Sequence, residues 1–311
     1  MLPFIAPPDD PRQADWIAAL QAAMPHETVV PLAALDDAAR LACEVAVVAN
    51  PRPEDLRRLP RLRWVHSVWA GVERLLADLG DLDLPIVRLQ DPQLADTMAE
   101  AVLAWTLYLH RDMPRYAQLQ RERRWQPLDA VRAQERCVGL LGLGALGSAA
   151  AARLVAAGFQ VQGWSRTPRA VPGVHGWSGD EGLAQVLATS DLLVCLLPLT
   201  PQTRGLLGDA AFQQLKPGAG LINFARGAIV DDAALRRALD SGRLSHAVLD
   251  VFDAEPLPAD RWHWTHPGVT VLPHISAPTH RQTAARIVAD NIAAYRQHGR
   301  IPPAVDRERG Y

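Results

Sequence analysis

Four polar residues in the last third of the chain end or follow three apolar runs of strand character. Arg226 comes just after Leu221-Ile222-Asn223-Phe224-Ala225; Asp250 and Glu255 end and follow Val248-Leu249-Asp250-Val251-Phe252; His274 follows Val271-Leu272-Pro273. A guanidinium holds anions, an imidazole exchanges protons near neutral pH, and carboxylates orient and charge imidazoles. Together these side chains are suited to acid–base work on an anionic substrate. Other chemistries lack their residues. No G-x-S-x-G elbow is present for a Ser-His-Asp hydrolase. His263, His266, His274 and His280 show no H-E-x-x-H or comparable spacing, so no metal is expected. The only lysine, Lys216, lies in a Leu-Lys-Pro-Gly turn. That leaves no amine for Schiff-base chemistry and no G-x-x-x-x-G-K-[ST] phosphate loop.

A second constellation begins at Gly142-Leu143-Gly144-Ala145-Leu146-Gly147, a full G-x-G-x-x-G after the apolar run 138–141 and before a helix-forming stretch. The first glycine permits a tight turn, the second lets a pyrophosphate approach the backbone, and the third lets helix and strand pack closely. The helix amino terminus then faces the phosphates. A carboxylate about 20 residues further on would bind the ribose hydroxyls of NAD and repel a 2′-phosphate. The chain instead reads Trp164-Ser165-Arg166-Thr167-Pro168-Arg169. Two hydroxyls and a guanidinium favour NADP(H), with NAD(H) also accommodated.

The elements that position these groups follow from hydrophobic patterning. Strands are predicted at 138–141, 161–164, 192–197, 220–224, 247–251 and 269–272, with helices at 145–157, 182–188 and 231–241 between them. Nearly continuous apolar strands spaced by crossover helices indicate a parallel sheet covered on both faces. In such α/β sheets ligands bind outside the carboxyl ends of the strands, so Arg226, Asp250, Glu255 and His274 should converge on the cofactor. The first hundred residues read as a smaller α/β unit, with strands at 44–49, 63–68 and 86–89 and helices at 11–23 and 71–79. A long helix from 94 to about 110 bridges the two parts, 121–136 reads as a polar surface connection, and a last helix spans 281–297.

Length and composition agree with two globular domains. The chain has 311 residues, 32 basic and 34 acidic side chains and a net charge of −2. That balance argues against a nucleic-acid binder, which needs uncompensated cations facing phosphates. Cys43, Cys137 and Cys195 are odd in number and far apart, which suits a reducing compartment. No apolar run approaches the roughly 18 residues of a membrane span, and the opening lacks a basic leader, so a cytoplasmic protein without membrane partners is expected.

The segments Asn223-Phe224-Ala225-Arg226-Gly227, Leu249-Asp250-Val251-Phe252-Asp253-Ala254-Glu255-Pro256 and Leu272-Pro273-His274-Ile275-Ser276-Ala277 are similar to the D-2-hydroxyacid dehydrogenase family. The glycine motif, Leu197-Pro198-Leu199-Thr200-Pro201-Gln202-Thr203, Trp125-Gln126-Pro127-Leu128 and the closing segment 305–311 extend the resemblance over nearly the whole chain. It implies a doubly wound Rossmann cofactor domain, 99–278, inserted in a smaller flavodoxin-like α/β substrate domain, 1–98 plus 279–311. It implies reduction of a small 2-keto acid, such as glyoxylate or hydroxypyruvate, to a 2-hydroxy acid. Arg226 would then hold the substrate, His274 would be the proton donor and Glu255 its partner. Cofactor contacts would come from Gly142, Gly144, Ala145, Leu146, Gly147, Ser165, Arg166, Thr167, Leu197, Pro198, Thr203, Ala225 and Asp250, the last on the nicotinamide side. The loop Trp69-Ala70-Gly71 would bind the substrate carboxylate. Trp69 stands where the family commonly has glycine, which either narrows the pocket or reflects packing. A homodimer is the expected state; Trp125 reads either as a surface or packing residue or as one reaching a partner's site. Two other readings are a dehydrogenase for a bulkier 2-hydroxy acid and a non-enzymatic sensor of nicotinamide nucleotides.

Overall fold

The computed structural model describes residues 1–80 and 82–307. Two compact units are formed, Met1–Gln93 with Thr279–Tyr311, and Leu94–Pro278. The sequence reading sets the first boundary at residue 98, inside what proves to be an uninterrupted helix, Pro92–His110. A continuous helix carries no internal break by which a sequence could mark a boundary.

The first unit is a five-stranded parallel sheet of β1 (Leu2–Ile5), β2 (Val29–Pro31), β3 (Val45–Val48), β4 (Trp64–Ser67) and β5 (Ile86–Val87), in the order β2-β1-β3-β4-β5. This is the flavodoxin-like order. β1 and β2 are absent from the patterning above. Pro3 removes a ladder donor from an inner strand, where proline is normally excluded, and so disguises β1. Burial compensates: Leu2 and Phe4 are 0% exposed. The helices Gln13–Ala23 and Arg281–His298 cover one face, placing Trp16, Leu20, Ala284, Val288 and Ile292 in a core with Leu2, Phe4, Val45, Val47 and Trp64. Each leucine, isoleucine, valine and phenylalanine among these contributes roughly 1.5–3 kcal/mol when fully buried. The tail closes on this unit through Val305 N–H to the Ile86 carbonyl, 2.8 Å, and Arg307 Nη2 to the carbonyls of Leu82 and Leu84, 2.6 and 2.9 Å. Residues 308–311 of the closing segment lie outside the described residues.

The second unit is a seven-stranded parallel sheet of β6 (Cys137–Leu141), β7 (Gln160–Trp164), β8 (Val174–Trp177), β9 (Leu192–Cys195), β10 (Ala219–Asn223), β11 (Leu244–Leu249) and β12 (Val269–Val271). Its order is β12-β11-β10-β9-β6-β7-β8. Alternate residues enter opposite cores: Leu193, Cys195, Leu221 and Leu249 pack on one face, and Leu192, Val194, Ile222 and Val248 on the other. A sheet covered twice is why these strands read as unbroken apolar runs. The chain winds outward from β6 in one direction through β7 and β8, then returns beside β6 at β9 and winds the other way. That reversal between β6 and β9 opens a crevice at their carboxyl ends. β8 is a largely exposed edge strand, Val-His-Gly-Trp, without the apolar run that marks its neighbours. Among the described residues no helix is long and apolar enough to cross a membrane.

Candidate active site

The glycine turn lies at this crevice, between β6 and the helix Ala145–Ala156. Gly142 has φ 105°, which side chains tolerate poorly, and a Cβ there would lie 2.9 Å from the Leu196 carbonyl oxygen. A Cβ on Gly147 would lie 1.8 Å from the Gly142 carbonyl oxygen, so the helix can seat on the turn only without one. Gly144 is different: a Cβ there would meet nothing within 4 Å. Nothing in the fold itself demands a glycine there, whereas a phosphate passing over the helix amino terminus does. The N–H groups of Ala145, Leu146 and Gly147 have no acceptor within the helix and supply donors for it. These residues fit a dinucleotide.

At the carboxyl end of β7, Arg166 and Thr167 are exposed while Ser165 is buried. The Ser165 hydroxyl donates to the Thr167 carbonyl at 2.8 Å and shapes the turn that presents Arg166. The loop after β9 is similarly self-braced. The Thr203 hydroxyl donates to the Pro198 carbonyl at 2.7 Å and accepts from Thr200 N–H at 2.8 Å. Thr203 therefore holds the Pro198 turn, and Leu197, 7% exposed, belongs to the core of this unit.

Arg226 follows β10 in a turn organised by Asn223, a residue the sequence reading left without a role. The Asn223 side chain accepts from Ala225 N–H at 3.2 Å and donates to the Arg226 carbonyl at 3.2 Å. The Arg226 Nη1 donates to the Ala225 carbonyl at 2.7 Å. A Cβ on Gly227 would lie 2.0 Å from the Phe252 carbonyl carbon. That glycine thus brings the Arg226 turn against the chain leading to Glu255.

Glu255 and His274 meet, although 19 residues apart: Oε2 to Nδ1 is 2.7 Å, and Oε1 accepts from Phe252 N–H at 2.8 Å. With Nδ1–H donating to the carboxylate, Nε2 is the nitrogen left for substrate. The bond from Glu255 raises the His274 pKa above that of ordinary histidine; burial opposes this, the Glu255 and Asp250 charges assist and Arg226 counteracts. Burial of Glu255 would raise its carboxyl, but the bonds from His274 and Phe252 and the charges of His274 and Arg226 prevail and lower it. A charged imidazole beside a guanidinium is suited to giving a proton to an anionic substrate's developing alkoxide.

Asp250 occupies an unexpected place in this arrangement. It is 2% exposed, and its carboxylate oxygens accept from Ile275 N–H at 2.7 Å and Ser276 N–H at 2.9 Å. His274 itself has φ 55°, a left-handed conformation costing an L-residue roughly 1–2 kcal/mol. Asp250 thereby clamps the turn that carries the imidazole. Sequence separation hid this contact, because no spacing rule links residue 250 to 275 and 276.

In the other unit, the Trp69-Ala70-Gly71 loop follows β4. Trp69 N–H donates to Ser67 Oγ at 3.1 Å, which leaves Ala70 and Gly71 to provide the loop's N–H donors. The Trp69 ring meets Trp16 edge-on at 5.6 Å with the Arg12 guanidinium over it at 5.5 Å. Among the described residues there is no His/Cys/Asp/Glu cluster able to hold a metal ion.

Comparison with known proteins places the chain in a family. The profile of the D-isomer specific 2-hydroxyacid dehydrogenase NAD-binding domain matches residues 103–276, and the chain belongs to that family as an NAD(P)-dependent 2-hydroxyacid dehydrogenase. Among curated relatives, the glyoxylate/hydroxypyruvate reductase A of Serratia proteamaculans (strain 568) is 39% identical over 94% of each chain. That of Yersinia enterocolitica is 37% identical over 95% of this chain and 96% of its own. A crystal structure of a D-isomer specific 2-hydroxyacid dehydrogenase from Xanthobacter autotrophicus Py2 with NADPH and MES aligns with TM-score 0.92 and 41% identity, covering 100% of this chain and 99% of that one. The NADPH-dependent glyoxylate/hydroxypyruvate reductase of Sinorhizobium meliloti, solved with NADP and sulfate, aligns with TM-score 0.90 and 34% identity over 100% and 99%.

Proposed function

We propose that this protein reduces small 2-keto acids, of the glyoxylate and hydroxypyruvate class, to 2-hydroxy acids with NADPH, and that His274 donates the proton. The observation that carries the reading is the 2.7 Å Glu255–His274 pair, with the imidazole partly exposed and under the field of Arg226. The glycine turn and the Ser165-Arg166-Thr167 segment would hold NADPH, which when bound would supply the hydride for C2. Arg226 orients the substrate by its carboxylate and carbonyl oxygen and stabilises charge as it develops there. His274 passes the Nε2 proton to that oxygen, becoming neutral while Nδ1–H remains on Glu255. In the oxidative direction the neutral imidazole takes the proton back. Trp69 acts as packing for the loop after β4, its ring set between Trp16 and Arg12. The NADPH preference is supported by the exposed Arg166 and by the relatives solved with NADPH and NADP. The working state is a homodimer, in which the fully exposed Trp125 is covered by the second copy.

The test is loss of NADPH absorbance with a panel of 2-keto acids of increasing size, repeated with NADH. Turnover is expected to be fastest for glyoxylate or hydroxypyruvate and faster with NADPH. His274→Ala is expected to lower kcat by about 10²–10⁴-fold with NADPH binding retained. Full turnover in that variant removes the imidazole from the reaction, and binding of nucleotide without turnover of any acid identifies a sensor instead.

A further inference from the structure

Behind the Glu255 turn lies a second carboxylate–imidazole pair that none of these steps uses. Asp232, at the start of the helix Asp232–Asp240, faces His263 Nε2 through Oδ1 at 2.7 Å and accepts from Trp262 Nε1 through Oδ2 at 3.0 Å. His263 is 4% exposed. Its ring stacks on Trp262, centroids 4.0 Å apart, and meets Phe252 edge-on at 5.3 Å. Phe252 is the residue whose N–H holds Glu255 Oε1. A continuous series of contacts thus runs from Asp232 through His263 and Phe252 to Glu255 and His274. Beneath the same turn is a cavity of about 30 Å³, lined by Gly227, Asp232, Phe252, Ala254 and His263 among others. The turn is therefore not close-packed throughout, and the imidazole is one of the side chains that line this gap.

The chemistry of His263 also argues against simple filling. Its Nδ1 is buried with no hydrogen-bond partner. An unsatisfied buried polar group is destabilising, a penalty that an apolar side chain of similar size would not incur. We propose that His263, oriented by Asp232, is a positioning residue that sets the Phe252–Glu255 turn and, through it, the protonation of His274. The inference rests on the roles given above to Glu255 and His274. The charged groups facing His274 are Glu255, Asp250 and Arg226; those facing the buried pair are Arg261 and, across the Trp262 ring, Arg236.

Three variants separate the contributions. His263→Leu removes both the bond to Asp232 and the ring contact, His263→Gln keeps a donor for Asp232 without the ring, and Asp232→Asn keeps one acceptor but removes the charge that orients the imidazole. Each is compared with wild type and Glu255→Gln for the pH profile of reductive kcat/KM, for Tm and for NADPH affinity by fluorescence titration. His263→Leu is expected to keep wild-type Tm and NADPH affinity, to lose about tenfold to a hundredfold in kcat, and to lose activity at lower pH than wild type does. The Gln and Asn variants should move the same limb in the same direction by less. A lowered Tm with an unmoved limb shows a merely structural residue and overturns the inference, as does a wild-type profile in all three. Should His263→Leu not fold, the Gln and Asn variants decide in the same way. If Glu255→Gln moves the limb and the His263 variants do not, this inference alone falls; if Glu255→Gln leaves the limb in place, both it and the assignment of Glu255 fall.

Discussion

Replacing Asp250 with alanine removes both acceptors from the turn that carries His274, and the size of the effect follows from the geometry. The left-handed backbone of His274, φ 55°, costs roughly 1–2 kcal/mol. Against it stand two hydrogen bonds to a carboxylate, at 2.7 and 2.9 Å, each contributing about 1.5–3 kcal/mol. With both bonds gone the strain is unopposed, and the population holding the imidazole in place falls by about 5–30-fold, with kcat falling in proportion. Asp250→Asn keeps one acceptor, so bond and strain nearly cancel and kcat drops only about two- to fivefold. Tm should fall by about 2–4 °C for each kcal/mol lost. The assay is steady-state NADPH oxidation at saturating cofactor, with Tm and NADPH affinity measured on the same preparations. Weakened NADPH binding with kcat retained at saturation would refute the reasoning, because it would show Asp250 acting on the nicotinamide and not on the turn.

Glu255→Gln should move the high-pH loss of reductive activity downward. Glu255 raises the His274 pKa, reduction needs the charged imidazole, and activity is present below that pKa and lost as pH rises through it; a pH profile of kcat/KM checks the direction. Gly144→Ala should lower Tm by no more than a few degrees, since a Cβ there meets nothing within 4 Å, while weakening NADPH binding measurably by fluorescence titration. Gly147→Ala, whose Cβ would lie 1.8 Å from a carbonyl oxygen, should lose both folded stability and binding, as thermal melts and the same titration report. Arg166→Ser should reduce the kcat/KM preference for NADPH over NADH by about tenfold to a hundredfold, the value of a charge-assisted bond to a phosphate.

The chain's own order of residues determined a good deal. Apolar runs every few tens of residues marked the inner strands β6, β7, β9, β10 and β11, because a sheet buried on both faces leaves no polar alternation to confuse the pattern. G-x-G-x-x-G was legible because each glycine answers a local demand of turn, phosphate or helix seat. Elements whose burial depends on distant partners were not legible. β1 contains a proline and is secured by neighbours on both sides, and β8 is an edge strand with little apolar content.

Within the site the same division holds. Residue types and their places after strands singled out Arg226, Glu255 and His274, since an imidazole, a carboxylate and a guanidinium announce their chemistry wherever they stand. Tertiary structure alone decided which atoms they use: that Glu255 takes Nδ1 and leaves Nε2, that Asp250 grips the backbone at 275 and 276, and that His263 lies against Phe252. Hydrogen bonds act over about 3 Å in space, while the residues they join here are 19 to 31 positions apart along the chain. Only the packing of parallel strands, which brings successive carboxyl ends to one edge, converts those separations into contact.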